Sequence, residues 1–138
     1  MSWHIRHTYE DILKILDQEL GINSQKLRFE IHSFTGSPDI VQEFLMRGAY
    51  VGLNGIITFD KTGNMEKVVK TVPLDRIVLE TDCPYLTPAP HRGKKNEPAH
   101  VRFVAEHLAK LKGVDSETVG SQTTQNSARL FLFRQALS

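Results

Sequence analysis

The sequence predicts an α/β fold with a parallel sheet, and three observations lead there. Short apolar runs alternate with helical stripes through most of the chain. The run Ile77-Val78-Leu79 is short, β-branched and apolar, and Pro84 stops it soon after, as suits a strand buried in a parallel sheet. The amphipathic stretches close on Gly21, Gly48 and Gly113, where a helix end favours glycine.

Taken in order, residues 1–6 read as a strand already under way at the first residue, with His4 near its end. A helix starts at Thr8, with Asp11 three residues on to complete a capping box, and Ile12, Leu13, Ile15, Leu16 and Leu20 recur at helical spacing. Residues 27–32 alternate strictly, placing Leu27, Phe29 and Ile31 on one face and His32 at the carboxyl end. Ser37 caps the next helix with Pro38 at its first position, and Ile40, Val41, Phe44 and Leu45 form its apolar stripe.

A third strand, residues 50–53, runs into Asn54-Gly55. A short helix with Met65, Val68 and Val69 buried then ends by Pro73, and the strand at 77–79 leads to Asp82. Residues 85–98 are a long proline-rich surface loop carrying Arg92, Lys94 and Lys95. Val101, Val104, Ala105, Leu108 and Leu111 mark an amphipathic helix, and residues 115–119 and 124–133 two further short ones.

At 138 residues the chain is long enough for one domain with a real core, and no linker divides it. A net charge of +1 exerts no global pull on nucleic acid or membrane, so any phosphate affinity has to be local. A single cysteine, Cys83, allows no intrachain disulfide. No stretch has the apolar length of a membrane span, and the start lacks a secretory pattern. The expectation is a cytoplasmic protein.

His4, His32 and Asp82 each fall at the end of an expected parallel strand. Parallel strands deliver their carboxyl ends to one rim, where functional groups of such folds collect. Two imidazoles and a carboxylate suit a divalent metal such as zinc or manganese. Against this, Asp82 equally suits a turn cap, and a histidine at a strand end is commonly a hydrogen-bonded structural residue. Arg92, Lys94 and Lys95 lie on the same rim, as phosphate contacts or as an ordinary solvated loop. Trp3 and Tyr85 read as core residues rather than the lining of a base-stacking cleft. His100 and His107 read as surface residues.

Four motifs carry a family resemblance. His32-Ser33-Phe34-Thr35-Gly36 resembles the His-Cys/Ser-Phe-Thr/Ser-Gly motif of the TatD family of metal-dependent hydrolases. Glu80-Thr81-Asp82-Cys83-Pro84-Tyr85-Leu86 resembles its Glu-Thr-Asp-x-Pro-Tyr-Leu signature. Arg92 through Pro98 resembles its basic Asn-Glu-Pro loop, and His4-Ile5-Arg6 its His-x-Arg motif. The four occur in family order and cover nearly the whole chain.

The resemblance implies the C-terminal half of an amidohydrolase-like (β/α)8 barrel of the TIM type, as a single, N-terminally incomplete domain over residues 1–138. It implies phosphodiester hydrolysis, typically as a deoxyribonuclease on DNA, with Mg, Mn or Zn as cofactor. His4 and His32 correspond to metal-binding histidines, and Asp82 to the aspartate that ligates metal and serves as base. Arg92, with Lys94, Lys95 and Asn96, would contact substrate phosphates.

The family's His-x-His motif and its Gly-Glu segment do not occur in this sequence. A non-catalytic remnant, or a half barrel that self-associates or needs a partner, is therefore the rival reading. A hydrolase of esters, lactones or amides is the third, since fold does not determine substrate. Glu30 also stands out, because it shares a face with His32 that would point into a mostly apolar barrel interior, with Arg28 as its expected partner.

Overall fold

The structure is a computed structural model that describes residues 2–20 and 28–131, with side chains described for residues 8–18 and 28–131. Three strands, β1 (Glu30–Ile31), β2 (Tyr50–Leu53) and β3 (Ile77–Leu79), form one sheet in the order β1-β2-β3. Both pairings are parallel, with Glu30 opposite Tyr50, Val51 opposite Ile77 and Leu53 opposite Leu79. The connections carry α2 (Pro38–Met46) and α3 (Asn64–Thr71); α1 (Ser2–Leu20) precedes the sheet, and α4 (Val101–Lys112) and α5 (Ser116–Phe131) follow it.

The sheet's two faces differ because side chains alternate along a strand. Odd-numbered residues, Ile31, Val51, Leu53, Ile77 and Leu79, join the hydrophobic core with Phe44, Val68 and Val104 from α2, α3 and α4. Even-numbered residues, Glu30, Tyr50, Gly52 and Val78, take the opposite face. The same parity carries past the strand ends to His32, Asn54, Glu80 and Asp82.

Local chemistry explains most boundaries. Ser37 Oγ accepts the Ile40 amide at 3.4 Å with Pro38 inside the first turn, as its sequence predicts, and Asp39 complements the positive end of the helix. Gly113 ends α4 at φ 68°, a left-handed conformation that favours glycine. Tyr9, Ile12, Leu13 and Leu16 of α1 pack on the core. Asp17 receives both Nε and Nη2 of Arg47 at 2.7 Å, fastening α1 to the end of α2.

Two element expectations are corrected. Residues 2–6 belong to α1 rather than to a strand, so His4 is helical and Thr8 lies inside the helix. A strand needs a ladder partner, whereas an existing helix extends by one hydrogen bond per added residue. The two short helices expected at 115–119 and 124–133 are one, α5. Its buried residues, Val119, Thr123, Asn126 and Ala128, are half polar, so apolar periodicity broke where the helix did not. Phe133 and Leu27 lie outside the described residues.

Candidate metal and catalytic site at the sheet rim

β1 ends at Ile31, and the chain turns at once through His32 and Ser33, the latter at φ 49°. The Phe34 amide returns to Gly52 O at 3.0 Å. β3 ends at Leu79, and three residues later Asp82 sits at φ 52°. Left-handed conformations are uncommon for residues other than glycine and concentrate at functional sites. Here two of them flank one cluster.

His32 is held from both sides. Its Nδ1 lies 2.6 Å from Glu80 Oε1 and its Nε2 2.8 Å from Asp82 Oδ1. Glu80 is anchored by its second oxygen, Oε2, which accepts the Ser33 amide at 2.9 Å. Asn54, 3% exposed, donates through Nδ2 to Ser33 Oγ at 2.7 Å and to Asp82 Oδ2. Its Oδ1 accepts the Ile56 amide at 3.0 Å, capping the 3-10 turn Gly55–Thr58. Thus each strand end contributes to the site: His32 after β1, Asn54 after β2, and Glu80 and Asp82 after β3.

A third carboxyl, Glu30, lies close to the same ring. Arg28, its expected partner, instead donates Nη1 to Arg129 O at 2.9 Å. Glu30 meets Glu80 across the glycine of β2. A Cβ at Gly52 would fall 2.1 Å from Glu80 Oε1 and 2.6 Å from Glu30 Oε1, so only glycine leaves this slot open. Burial above all, then the hydrogen bond with Glu30, pushes the Glu80 carboxyl up to about 9, against a smaller downward pull from the Ser33 amide. At neutral pH the Glu80 carboxyl therefore keeps its proton.

The donor set fits a divalent cation. One ligand atom each from Glu30, His32 and Glu80 lie within 4.8 Å of one another, and Asp82 stands on the other side of the His32 ring. Imidazole and carboxylate donors suit zinc, manganese or magnesium. A cation there would also offset the repulsion that two carboxyls otherwise relieve by keeping a proton. The side chain of His4 lies outside the described residues, so its expected place in this set is not part of the geometry.

The basic loop is more structured than its composition suggests. The Arg92 guanidinium sits 3.8 Å over the Phe59 ring, and its Nη1 donates to Thr87 O at 3.0 Å. Lys94 and Lys95 are exposed. Asn96 differs from the expectation of a phosphate contact: it is 3% exposed, and its Nδ2 donates to Thr81 O and Tyr85 O, both at 2.6 Å. It braces the loop against the turn that carries Asp82, which leaves its amide hydrogens engaged.

Three further expectations are corrected by burial. Tyr85, expected in the core, is 75% exposed. His100 is mostly buried, stacked on His91 with ring centroids 4.9 Å apart and its Nδ1 3.0 Å from Asn96 Oδ1. His107 is partly buried on α4, and that burial pulls its pKa down. Asn54, Glu30 and Glu80 join the candidate cluster without having been assigned from the sequence. The available signal was shared parity at the ends of the strands.

Residues 1–132 match the family model described as TatD related DNase. YabD of Bacillus subtilis strain 168, named an uncharacterized metal-dependent hydrolase, is 41% identical over 128 residues, which are 93% of this chain and 49% of that one. YcfH of Escherichia coli K12, named likewise, is 43% identical over 93% of this chain and 47% of its own. The 3'-5' ssDNA/RNA exonuclease TatD of Cronobacter sakazakii is 33% identical over 94% of this chain and 50% of its own. The chain thus spans about half the length of the curated relatives it matches. Among solved structures, YJJV, a TatD homolog from Escherichia coli K12, superposes with TM-score 0.78 at 23% identity, over 89% of this chain and 46% of that one. At that identity the likeness shows the fold.

Proposed function

The chain belongs to the TatD-related family of metal-dependent hydrolases, and on that premise we propose that it acts on phosphodiester bonds of DNA. The observation that carries this reading is the clamp on His32: Nε2 against Asp82 Oδ1 at 2.8 Å, with Nδ1 held by Glu80 at 2.6 Å. A carboxyl at one ring nitrogen sets the orientation of the other, an arrangement common around metal-binding histidines.

His32 and Asp82, with His4, are the proposed protein ligands. These residues would hold a divalent ion, which would supply Lewis acidity toward a phosphoryl oxygen. Asp82 serves as the base for the attacking water, held in place by Asn54 at Oδ2 and by His32 at Oδ1. Lys94 and Lys95 meet substrate phosphates as mobile point charges, and Arg92 does so from its seat on Phe59.

We read residues 1–138 as one domain, its sheet as part of a (β/α)8 barrel, and its location as cytoplasmic. The exposed free thiol of Cys83 suits a reducing compartment. No helix among the described residues is long and apolar enough to cross a membrane. Among the described residues β1 and β3 are the outer strands of the sheet, and our reading includes self-association through such an edge, since an outer strand can pair with another chain.

The test is hydrolysis of single-stranded DNA by the chain with Mg²⁺, Mn²⁺ or Zn²⁺, beside Asp82→Ala and a chromogenic ester. The reading expects metal-dependent cleavage of DNA that Asp82→Ala reduces at least 100-fold. Cleavage that survives Asp82→Ala unchanged sinks the site. Ester cleavage without nuclease activity moves the substrate class, and inactivity with every metal and substrate favours the non-catalytic remnant.

A further inference from the structure

Three arginines line one cavity at the end of the sheet opposite His32 and Asp82. Arg28 stands two residues before β1, Arg76 immediately before β3, and Arg129 in the last turn of α5. Tyr50, the first residue of β2, lies between them, so the amino end of every strand contributes. With Leu45 and Met46 from α2, these residues line an open cavity of about 440 Å³ that has no acidic residue in its wall.

The three charges are oriented but not compensated. Arg28 Nη1 donates to Arg129 O at 2.9 Å, and Arg76 Nη1 to Gly48 O at 3.5 Å. The Arg76 guanidinium also lies 5.3 Å from the centre of the Tyr50 ring. All of these partners are neutral, and among the described residues none of the three arginines forms an ion pair. The adjoining sequence adds charge of the same sign. Residues 21–27 bring Lys26 and residues 132–138 bring Arg134, and neither stretch has an acidic side chain. The net charge of the whole chain is only +1, so the excess here is local.

We propose that this cavity binds a small phosphorylated molecule, its phosphoryl group among Arg28, Arg76 and Arg129 and its apolar body against Leu45 and Met46. A planar carboxylate offers both oxygens to one guanidinium fork. A tetrahedral phosphoryl group presents oxygens in several directions and can meet forks arriving from three elements. The volume falls within the roughly 300–1,000 Å³ of small-molecule sites. Met46, 68% exposed, supplies apolar surface for the remainder of the ligand. The site is independent of the hydrolytic reading, because its residues stand at the other ends of the strands.

The test is isothermal titration calorimetry of the full chain with phenyl phosphate, in EDTA so that no metal at the carboxyl rim holds the anion. One phenyl phosphate should bind per chain, more tightly than phenylacetate or inorganic phosphate. Arg129→Gln removes a charge but keeps the carbonyl that Arg28 uses, and should weaken phenyl phosphate about tenfold, as expected for a lost charge-assisted hydrogen bond. Unchanged affinity in both Arg129→Gln and Arg28→Gln overturns the proposal, and an equal loss in Lys95→Ala does so by moving the anion to the basic loop. Phenylacetate bound as tightly rules out the phosphate class, and inorganic phosphate bound as tightly rules out the role of Leu45 and Met46. Altered sedimentation of Arg129→Gln with phenyl phosphate affinity intact makes the cluster a contact between chains instead. Absence of binding to the wild type refutes the site and leaves the nuclease reading standing.

Discussion

Glu80 ties site chemistry to stability. Its folded carboxyl holds its proton up to about pH 9, against an ordinary value of 4.5, because burial and the neighbouring Glu30 disfavour the charged form. Between those pH values the folded state binds a proton that the unfolded chain has released. Stability must therefore fall as pH rises through this window. In chelator-treated protein the urea midpoint should decline from pH 5 to pH 9, and Glu80→Gln, which cannot ionise, should flatten the decline. An unchanged slope in Glu80→Gln would place the proton elsewhere. Little of this was legible in the sequence. Residues 30 and 80 stand far apart in the chain, and no local pattern announces that Gly52 lets their carboxyls meet.

At the level of elements, one asparagine has a role that composition conceals. Asn126, fully buried on α5, donates Nδ2 to Leu74 O at 2.8 Å and to Ile77 O at 2.7 Å, joining the helix to the start of β3. Asn126→Leu removes both side-chain bonds; Leu74 O keeps the Ile77 amide, whereas Ile77 O loses its buried side-chain donor, and an unsatisfied buried group costs about 1–3 kcal/mol. The substitution should lower the denaturant midpoint accordingly while far-UV circular dichroism stays native. Stability equal to wild type would mean that Ile77 O finds another partner.

Element existence was largely readable. The Ser37 cap, the Gly113 stop and the apolar parity of β2 and β3 each leave a local imprint. Where prediction failed, residues 2–6 continue a helix that runs on to Leu20, and across α5 the half-polar buried set packs remotely, with Asn126 reaching Leu74 O and Ile77 O.

For the molecule as a whole, the parallel sheet gathers the candidate ligands His32 and Asp82 on one rim, and a ligand bound there should stabilise the entire fold. A divalent ion that binds only the folded chain raises its stability by about 2.7 kcal/mol at a hundred times the dissociation constant. Thermal unfolding with increasing Mn²⁺ should therefore shift upward in wild type, and the shift should shrink in His32→Ala and in Asp82→Ala. A shift of equal size in both variants would put the cation away from this rim.

By itself the sequence determined the α/β class, the alternation that separates the core face from the polar face, and the placing of His32 and Asp82 at strand ends. Each rests on periodicity or on a cap, which are local properties of neighbouring residues. Only the tertiary structure decided that Asn54 bridges to Ser33 and Asp82, that Asn96 turns inward to brace the loop, and that Tyr85 turns outward. Those outcomes depend on strand register and on which side chain reaches a buried backbone group first. Both are settled between residues remote in sequence, when the sheet closes and its unpaired polar groups must find partners.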